Sequence, residues 1–300
     1  MRRPAIAPIV GAMENARGKL LAALPVTERR LQLHGISTAV LDAGEGPPVI
    51  LLHGPLGHAA HWMDVIPGLA KHHRVIAPDL PGHGASQIMD GALSARHVLR
   101  WLDELIWRTC AAPPVLVGQL LGGAIATRFA AEHGERLSRL VLVDTFGLTP
   151  FQPAPHFALA LTGFLAQPDT QTHHSLWRLC AFDLDALRER MGERWEPFEA
   201  YNLDRARTPE VRAAVSVLME EFGAEIPTES LERVGVPTTL IWGRHDLATP
   251  LSVAEAASAR YGWPLHVIEN ANDDPPVEQP EELLRLLRTV LEPSFTAQAC

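Results

Sequence analysis

The chain has 300 residues, 47% apolar and 20% charged, enough to bury a full core and too apolar for a disordered chain. A formal net charge of −9 excludes the basic surface that a nucleic-acid partner needs. No apolar run approaches the roughly 18 residues of a membrane helix, so no membrane partner is expected.

Residues 1–27 read as a loose N-terminal arm with a helix around 12–21. Met1-Arg2-Arg3 opens it, but Pro8 and Gly11 interrupt the apolar stretch that follows, and Glu14 and Arg17 end it. That favours a cytoplasmic chain over one with a signal peptide. An alternating stretch over 29–33, a turn at His34-Gly35 and a strand over 36–41 form a hairpin closed by Gly44-Glu45-Gly46. Residues 48–52 are a short continuous apolar run, as expected of a strand buried on both faces. Further buried runs fall at 74–77, 115–118, 139–143, 238–242 and 265–268. Helical periodicity marks 60–69, 93–107, 122–132, 253–260 and 280–291. Strands alternating with helices imply a mostly parallel sheet covered on both faces. Residues 146–227 hold no strand candidate, only helix-like stretches punctuated by prolines. They are too long for a loop and read as an inserted helical cap, with the core formed by 28–145 and 228–300.

Five segments in order resemble the α/β-hydrolase superfamily over about residues 28–292. His53-Gly54 follows the third strand. Asp79-Leu80-Pro81-Gly82-His83-Gly84-Ala85-Ser86 follows the fourth. Val117-Gly118-Gln119-Leu120-Leu121-Gly122-Gly123 stands where that family carries its nucleophile elbow. Ile241-Trp242-Gly243-Arg244-His245-Asp246 resembles the segment with the catalytic acid, and 268–280 the loop with the catalytic histidine. The resemblance implies an α/β fold: an eight-stranded, mostly parallel sheet with an inserted helical cap over its carboxyl edge, where such sheets bind ligands.

Three positions depart from the family pattern. The elbow presents Leu120 in place of serine, and leucine has no lone pair with which to form an acyl-enzyme. The histidine position is Asp273, so two carboxylates, Asp246 and Asp273, are expected where an Asp–His pair should be. Like charges that close share a proton or bind a cation. The residue after His53-Gly54 is Pro55, which offers no N–H to an oxyanion. The Leu121 N–H remains, leaving the hole half built. Loss of one such donor typically costs about 3–4 kcal/mol, and loss of a triad nucleophile roughly 10⁶ in rate.

Asp246 and Asp273, with Leu120, are therefore the vestigial triad positions. Leu120, Leu121, Gln119, Gly54, Pro55 and His245 are the candidate ligand contacts. Gln119 fits a hydrogen-bonding support, and His245 is a candidate replacement base. Thr145, Cys110 and Ser86 are the candidate displaced nucleophiles, and Asp144 is an alternative acid. The three cysteines, Cys110, Cys180 and Cys300, show no CxxC spacing and read as small core or tail thiols in a reducing compartment. Fourteen histidines include His58 and His61 at i, i+3 and the pairs His72-His73 and His173-His174. None joins a cysteine or carboxylate at ligand spacing, so no metal and no cofactor are expected. Trp177, Trp195, Phe198, Tyr201 and Phe222 should build the cap core and partly line an apolar pocket. The expected partner is an apolar or ring-bearing small molecule, with a homo-oligomer left open. Three functions follow: a pseudohydrolase that binds a small molecule; a lyase, isomerase or cyclase moving protons with pocket carboxylates; and a hydrolase with a displaced nucleophile.

Overall fold

The computed structural model describes residues 10–292; the first nine residues of the arm and Cys300 lie outside the described residues. Strands β1 (Thr27–Leu33) and β2 (Ile36–Ala43) pair antiparallel, with Leu33 opposite Ile36. The turn between them holds His34 at φ +44° and Gly35 at +75°. Two left-handed residues give the hairpin turn whose twist matches its strands. The remaining strands are β3 (Pro48–Leu52), β4 (Arg74–Pro78), β5 (Gln87–Ile88), β6 (Val115–Gln119), β7 (Arg139–Val143), β8 (Thr238–Gly243) and β9 (Leu265–Ile268). They form one sheet in the order β1-β2-β4-β3-β6-β7-β8-β9. From β4 to β9 neighbouring strands are parallel, while β2 runs antiparallel to β1, β4 and β5. The expected eight strands are joined by a ninth, β5, whose two residues pair with Ile36 and Ser37.

Neighbouring residues of the central strands feed opposite faces of the sheet. Ile50, Leu116 and Leu142 join one apolar cluster, and Leu51, Val117 and Val143 join the other. This is the two-residue alternation of a strand with both faces covered, and it explains the continuous apolar runs. The stretch 60–69 is not one helix. It divides into a single tight turn, Ala59–Trp62, and a short helix, Ile66–Leu69. Pro67 has no N–H and fits only in a first turn, so a helix cannot run through it.

Between β7 and β8 lie the helices Pro155–Ala166, Thr170–Cys180, Leu184–Met191, Trp195–Arg207 and Pro209–Phe222. Pro155 and Pro209 each sit in a first turn, and Asp169 caps its helix by accepting from the Thr172 N–H. The arm, over its described residues, is docked rather than loose. Its helix Val10–Leu21 buries Leu20 in a cluster with Met63, Trp195 and Phe198. The Arg17 guanidinium lies 3.0 Å from Asp79 and 2.9 Å from Glu28, and it donates to the Tyr201 hydroxyl at 3.3 Å. Burial works against that cation, but Asp79, Tyr201 and Glu28 outweigh it and hold the group charged. Asp79 in turn accepts the N–H groups of Ala59 and Ala85. One buried ion pair therefore ties the arm, the helical region and the loop after β4 together.

Candidate binding site

Strand β6 ends at Gln119, and the helix Leu121–His133 starts two residues later. The residue between, Leu120, has φ +46° and ψ −111°, a left-handed state that costs a non-glycine residue about 1–3 kcal/mol. Three backbone bonds hold it: Leu120 N–H donates to Val143 O at 3.0 Å, and Leu120 O accepts from the N–H groups of Ala124 at 3.0 Å and Phe146 at 3.1 Å. The turn also requires a bare backbone at Gly122, where a Cβ would sit 2.6 Å from Leu52 O. The sharp strand-to-helix turn is thus intact and presents leucine at its apex. The Leu120 side chain lies across Gly54, at the head of the loop after β3. His53 fixes that loop: its Nε2 accepts from Leu80 N–H at 3.0 Å, so the proton is on Nδ1, which donates to Gly54 O at 2.7 Å.

The loops after β7, β8 and β9 bring five carboxyl groups together. Asp246 Oδ1 accepts from the N–H groups of Ala248 at 2.7 Å and Thr249 at 2.8 Å. Asp144 Oδ1 accepts from Gly243 N–H at 2.8 Å, and Asp144 is near enough to Asp246 to feel its charge. Burial pushes Asp246 up to about 7, against those donors. Burial, and then the Asp246 charge, holds Asp144 well above the ordinary carboxylate range. Asp273 moves the same way through burial, then through the charges of Asp246, Asp274 and Glu278. Burial also pushes Glu278 up to about 8, although it accepts from Phe182 and Asn272 N–H groups. Asp144 and Asp273 thus both feel Asp246 through its charge.

A cavity of about 230 Å³ lies between the carboxyl edge of the sheet and the helical region. Leu120, Pro55 and Leu56 line its floor, and Phe146, Phe157, Phe164 and Trp177 its walls. Asp273, Asp274, His61 and Asn202 give it one polar end. His61 Nδ1 lies 3.4 Å from Asp274 Oδ2, and Asp274 Oδ1 accepts from Gln119 Nε2 at 3.0 Å.

Of the residues singled out in the sequence, Leu120, Pro55 and Asp273 meet at this cavity, with Asp246 buried behind. Gln119 does not line it: its amide carries the opposite loop by donating to Asp273 O and Asp274 Oδ1. The Leu121 side chain is buried in the core, so only its backbone could face a ligand. Gly54 is covered by Leu120. His245 is exposed and stacks on Phe182 with ring centroids 5.0 Å apart, away from the cavity. Ser86 and Thr145 have their hydroxyls committed to backbone carbonyls, at 2.8 Å to Asp79 O and 3.0 Å to Phe146 O. Cys110 is beside Arg74 at the start of β4, at the amino ends of the parallel strands. The thiol at the cavity is instead Cys180, whose pKa is held well above the usual range by burial and by Asp273 and Asp274. Of the cap aromatics, Trp177 reaches the cavity; Trp195, Phe198 and Tyr201 pack with the arm, and Phe222 joins the main core. His61 and Asp274 are the functional candidates that spacing alone does not find, because their pairing joins the loop after β3 to the loop after β9. Among the described residues, no group of three or more His, Cys, Asp or Glu is placed to hold a metal ion.

This turn, sheet order and helical region define a class of protein, and residues 49–286 match the profile of the alpha/beta hydrolase family: the chain belongs to that family. It is 31% identical over 226 residues to a 2-hydroxy-6-oxo-6-phenylhexa-2,4-dienoate hydrolase of Comamonas testosteroni, covering 70% of this chain and 75% of the relative. It is 30% identical over 239 residues to the magnesium-chelatase 30 kDa subunit of Rhodobacter capsulatus, covering 74% and 79%. Its structure is similar to that of the 2-hydroxy-6-oxo-6-phenylhexa-2,4-dienoate hydrolase of Rhodococcus sp. strain RHA1. The TM-score is 0.76 at 26% identity, over 88% of this chain and 98% of that one. No helix among the described residues is long and apolar enough to cross a membrane.

Proposed function

We propose that this protein is a non-hydrolytic member of the family, one that binds an apolar, ring-bearing small molecule in the cavity over Leu120. The observation that carries this reading is Leu120 itself. The elbow keeps its strained geometry, yet a leucine side chain fills the apex and covers Gly54. Neither a nucleophile nor room for a carbonyl oxygen is left there. The aromatic walls suit a ring, and the phenylhexadienoate hydrolases to which the chain is similar are named for a ring-bearing substrate. The test is covalent trapping. After incubation with a fluorophosphonate or an activated aryl ester, the intact mass of the full chain should be unchanged. An adduct mapped to any residue at the cavity overturns the reading.

A second reading has its own support. Asp246 sits at about 7 and Asp273 well above the carboxylate range, so a carboxylic acid borders the cavity near neutral pH. Such a group can give or take a proton, as a lyase, isomerase or cyclase requires. Proton exchange at an acidic C–H of a bound ligand in deuterated water, abolished by Asp273→Asn, would favour it over simple binding.

A further inference from the structure

A second cavity, of about 260 Å³, lies beside the one over Leu120 and is lined by Thr149, Gln152, Thr249 and Val253. Phe146, Phe151 and Ala248 line both cavities and so form the wall between them. The two rings are tilted by 56°, with centroids 4.8 Å apart. Phe146 is fixed: it is buried, and its N–H donates to Leu120 O at 3.1 Å. Phe151 is half-buried, in a stretch, 148–153, that makes no backbone hydrogen bond among the described residues. Pro150 and Pro153 have no N–H to give. The Phe151 ring can therefore turn aside without breaking a backbone bond, which opens a passage through the wall.

The two cavities differ in chemistry. Aromatic side chains wall the first, whereas hydroxyl and amide groups line the second and no titratable side chain does. Thr149 is half-buried and Gln152 exposed, and neither side chain has a hydrogen-bond partner among the described residues, so both can serve a ligand. Cavities that hold small molecules usually run to roughly 300–1,000 Å³. At about 230 and 260 Å³, each cavity falls short of that range alone, and the pair lies within it.

Resting on the binding function above, we propose that the ligand spans both cavities: its ring lies over Leu120, and an uncharged hydrogen-bonding tail, a hydroxyl or an amide, passes Phe151 to reach Thr149 and Gln152. A charged tail would lose hydration there and find no counter-ion. Val253 lines the second cavity and not the first, so it limits the length of ligand the protein accepts.

The test titrates the full chain by calorimetry with 4-phenylbutanol and 8-phenyloctanol. The longer probe is expected to bind at least about tenfold tighter, because its tail reaches the second cavity. Val253→Phe fills that cavity and should cut the advantage to about threefold or less, with the shorter probe bound as in wild type. Thr149→Val combined with Gln152→Ala removes the tail's partners. That pair should weaken the longer probe about three- to tenfold and leave the shorter one unchanged. The proposal is overturned if the longer probe has no advantage, if either variant leaves that advantage intact, if both probes weaken together, or if neither binds. Where Val253→Phe does not fold, the double variant decides alone. A shorter probe that binds, with no gain for the longer one, overturns the two-cavity ligand and leaves the binding function standing. A covalent adduct found with the expected length dependence overturns only the non-hydrolytic reading.

Discussion

Leu120 and Gly54 are in contact where the loop after β3 meets the turn after β6: a Cβ added at Gly54 would lie 3.0 Å from Leu120 Cδ1. The side chain at the apex of the turn and the loop after β3 are thus packed together. The turn remains strained although no hydroxyl is presented there. In this family the strain serves to expose a nucleophile. Here it holds an apolar side chain, 7% exposed, over the floor of a cavity.

That arrangement sets an unusual order of stabilities. Leu120→Ala keeps the positive φ and loses packing, at a cost of about 2 kcal/mol, the low end for a leucine beside a cavity. Leu120→Gly loses the same packing and recovers about 1–2 kcal/mol of backbone strain. Urea denaturation should find Leu120→Gly at least as stable as Leu120→Ala. A glycine variant less stable by about 1 kcal/mol, the ordinary helix-interior penalty, would mean that the turn is relaxed.

The arm should contribute far more stability than its size suggests. Arg17→Ala leaves Asp79, 0% exposed, without its cation, and removing one partner of a buried pair costs about 3–5 kcal/mol. The side chain of Glu28 is 40% exposed, so Glu28→Gln should change stability by less than about 1 kcal/mol. Similar midpoints for Arg17→Ala and wild type in denaturant would show that the helix Val10–Leu21 is not a structural tie.

The pH dependence of stability follows from two opposed sets of buried groups. Asp144, Asp246, Asp273 and Glu278 titrate higher in the folded chain than in the unfolded one. Their folded forms keep protons that unfolded carboxyls release above about pH 4, so stability falls as pH rises through that range and on past neutrality. His53, His58, His83 and His173 titrate lower in the folded chain, first because of burial. The unfolded imidazoles gain protons below about pH 6.5, so these groups remove stability as pH falls. Between about pH 4.5 and 6.5 the four acids and four imidazoles oppose each other and stability should be nearly flat. Above about pH 7 the acids act, joined towards pH 9 by the buried Cys180 thiol, and the melting temperature should decline by several degrees towards pH 9. Calorimetry from pH 4 to 9 checks this: a melting temperature that rises from pH 6 to 9 would contradict the protonated carboxyl cluster. Asp246→Asn, whose amide oxygen can still accept from Ala248 and Thr249, should flatten the decline.

Much of the sheet is legible in the sequence because its central strands are buried on both faces and read as unbroken apolar runs. The elbow is legible for the same local reason, since Gly118-Gln119-Leu120-Leu121-Gly122 folds on itself. Strand β5 is not legible: two residues carry no period, and Gln87 is exposed. The site is only partly legible. His245 is next to Asp246 in sequence, but backbone direction turns the two side chains to different sides. The pairing of His61 with Asp274 and the closeness of Asp144 to Asp246 depend on loops that meet only after the sheet has formed. Cys180 reads as a core thiol because nothing in its neighbourhood signals a cavity.

Whether the elbow still performs chemistry is decided most directly by turnover of p-nitrophenyl esters, acetate to octanoate, by wild type and by Leu120→Gly purified side by side. The packing of Leu120 over Gly54 predicts that both release nitrophenol at the rate of the blank at every chain length. Saturable wild-type turnover that follows the protein through successive columns and changes with Leu120→Gly would contradict it and require a nucleophile elsewhere at the cavity.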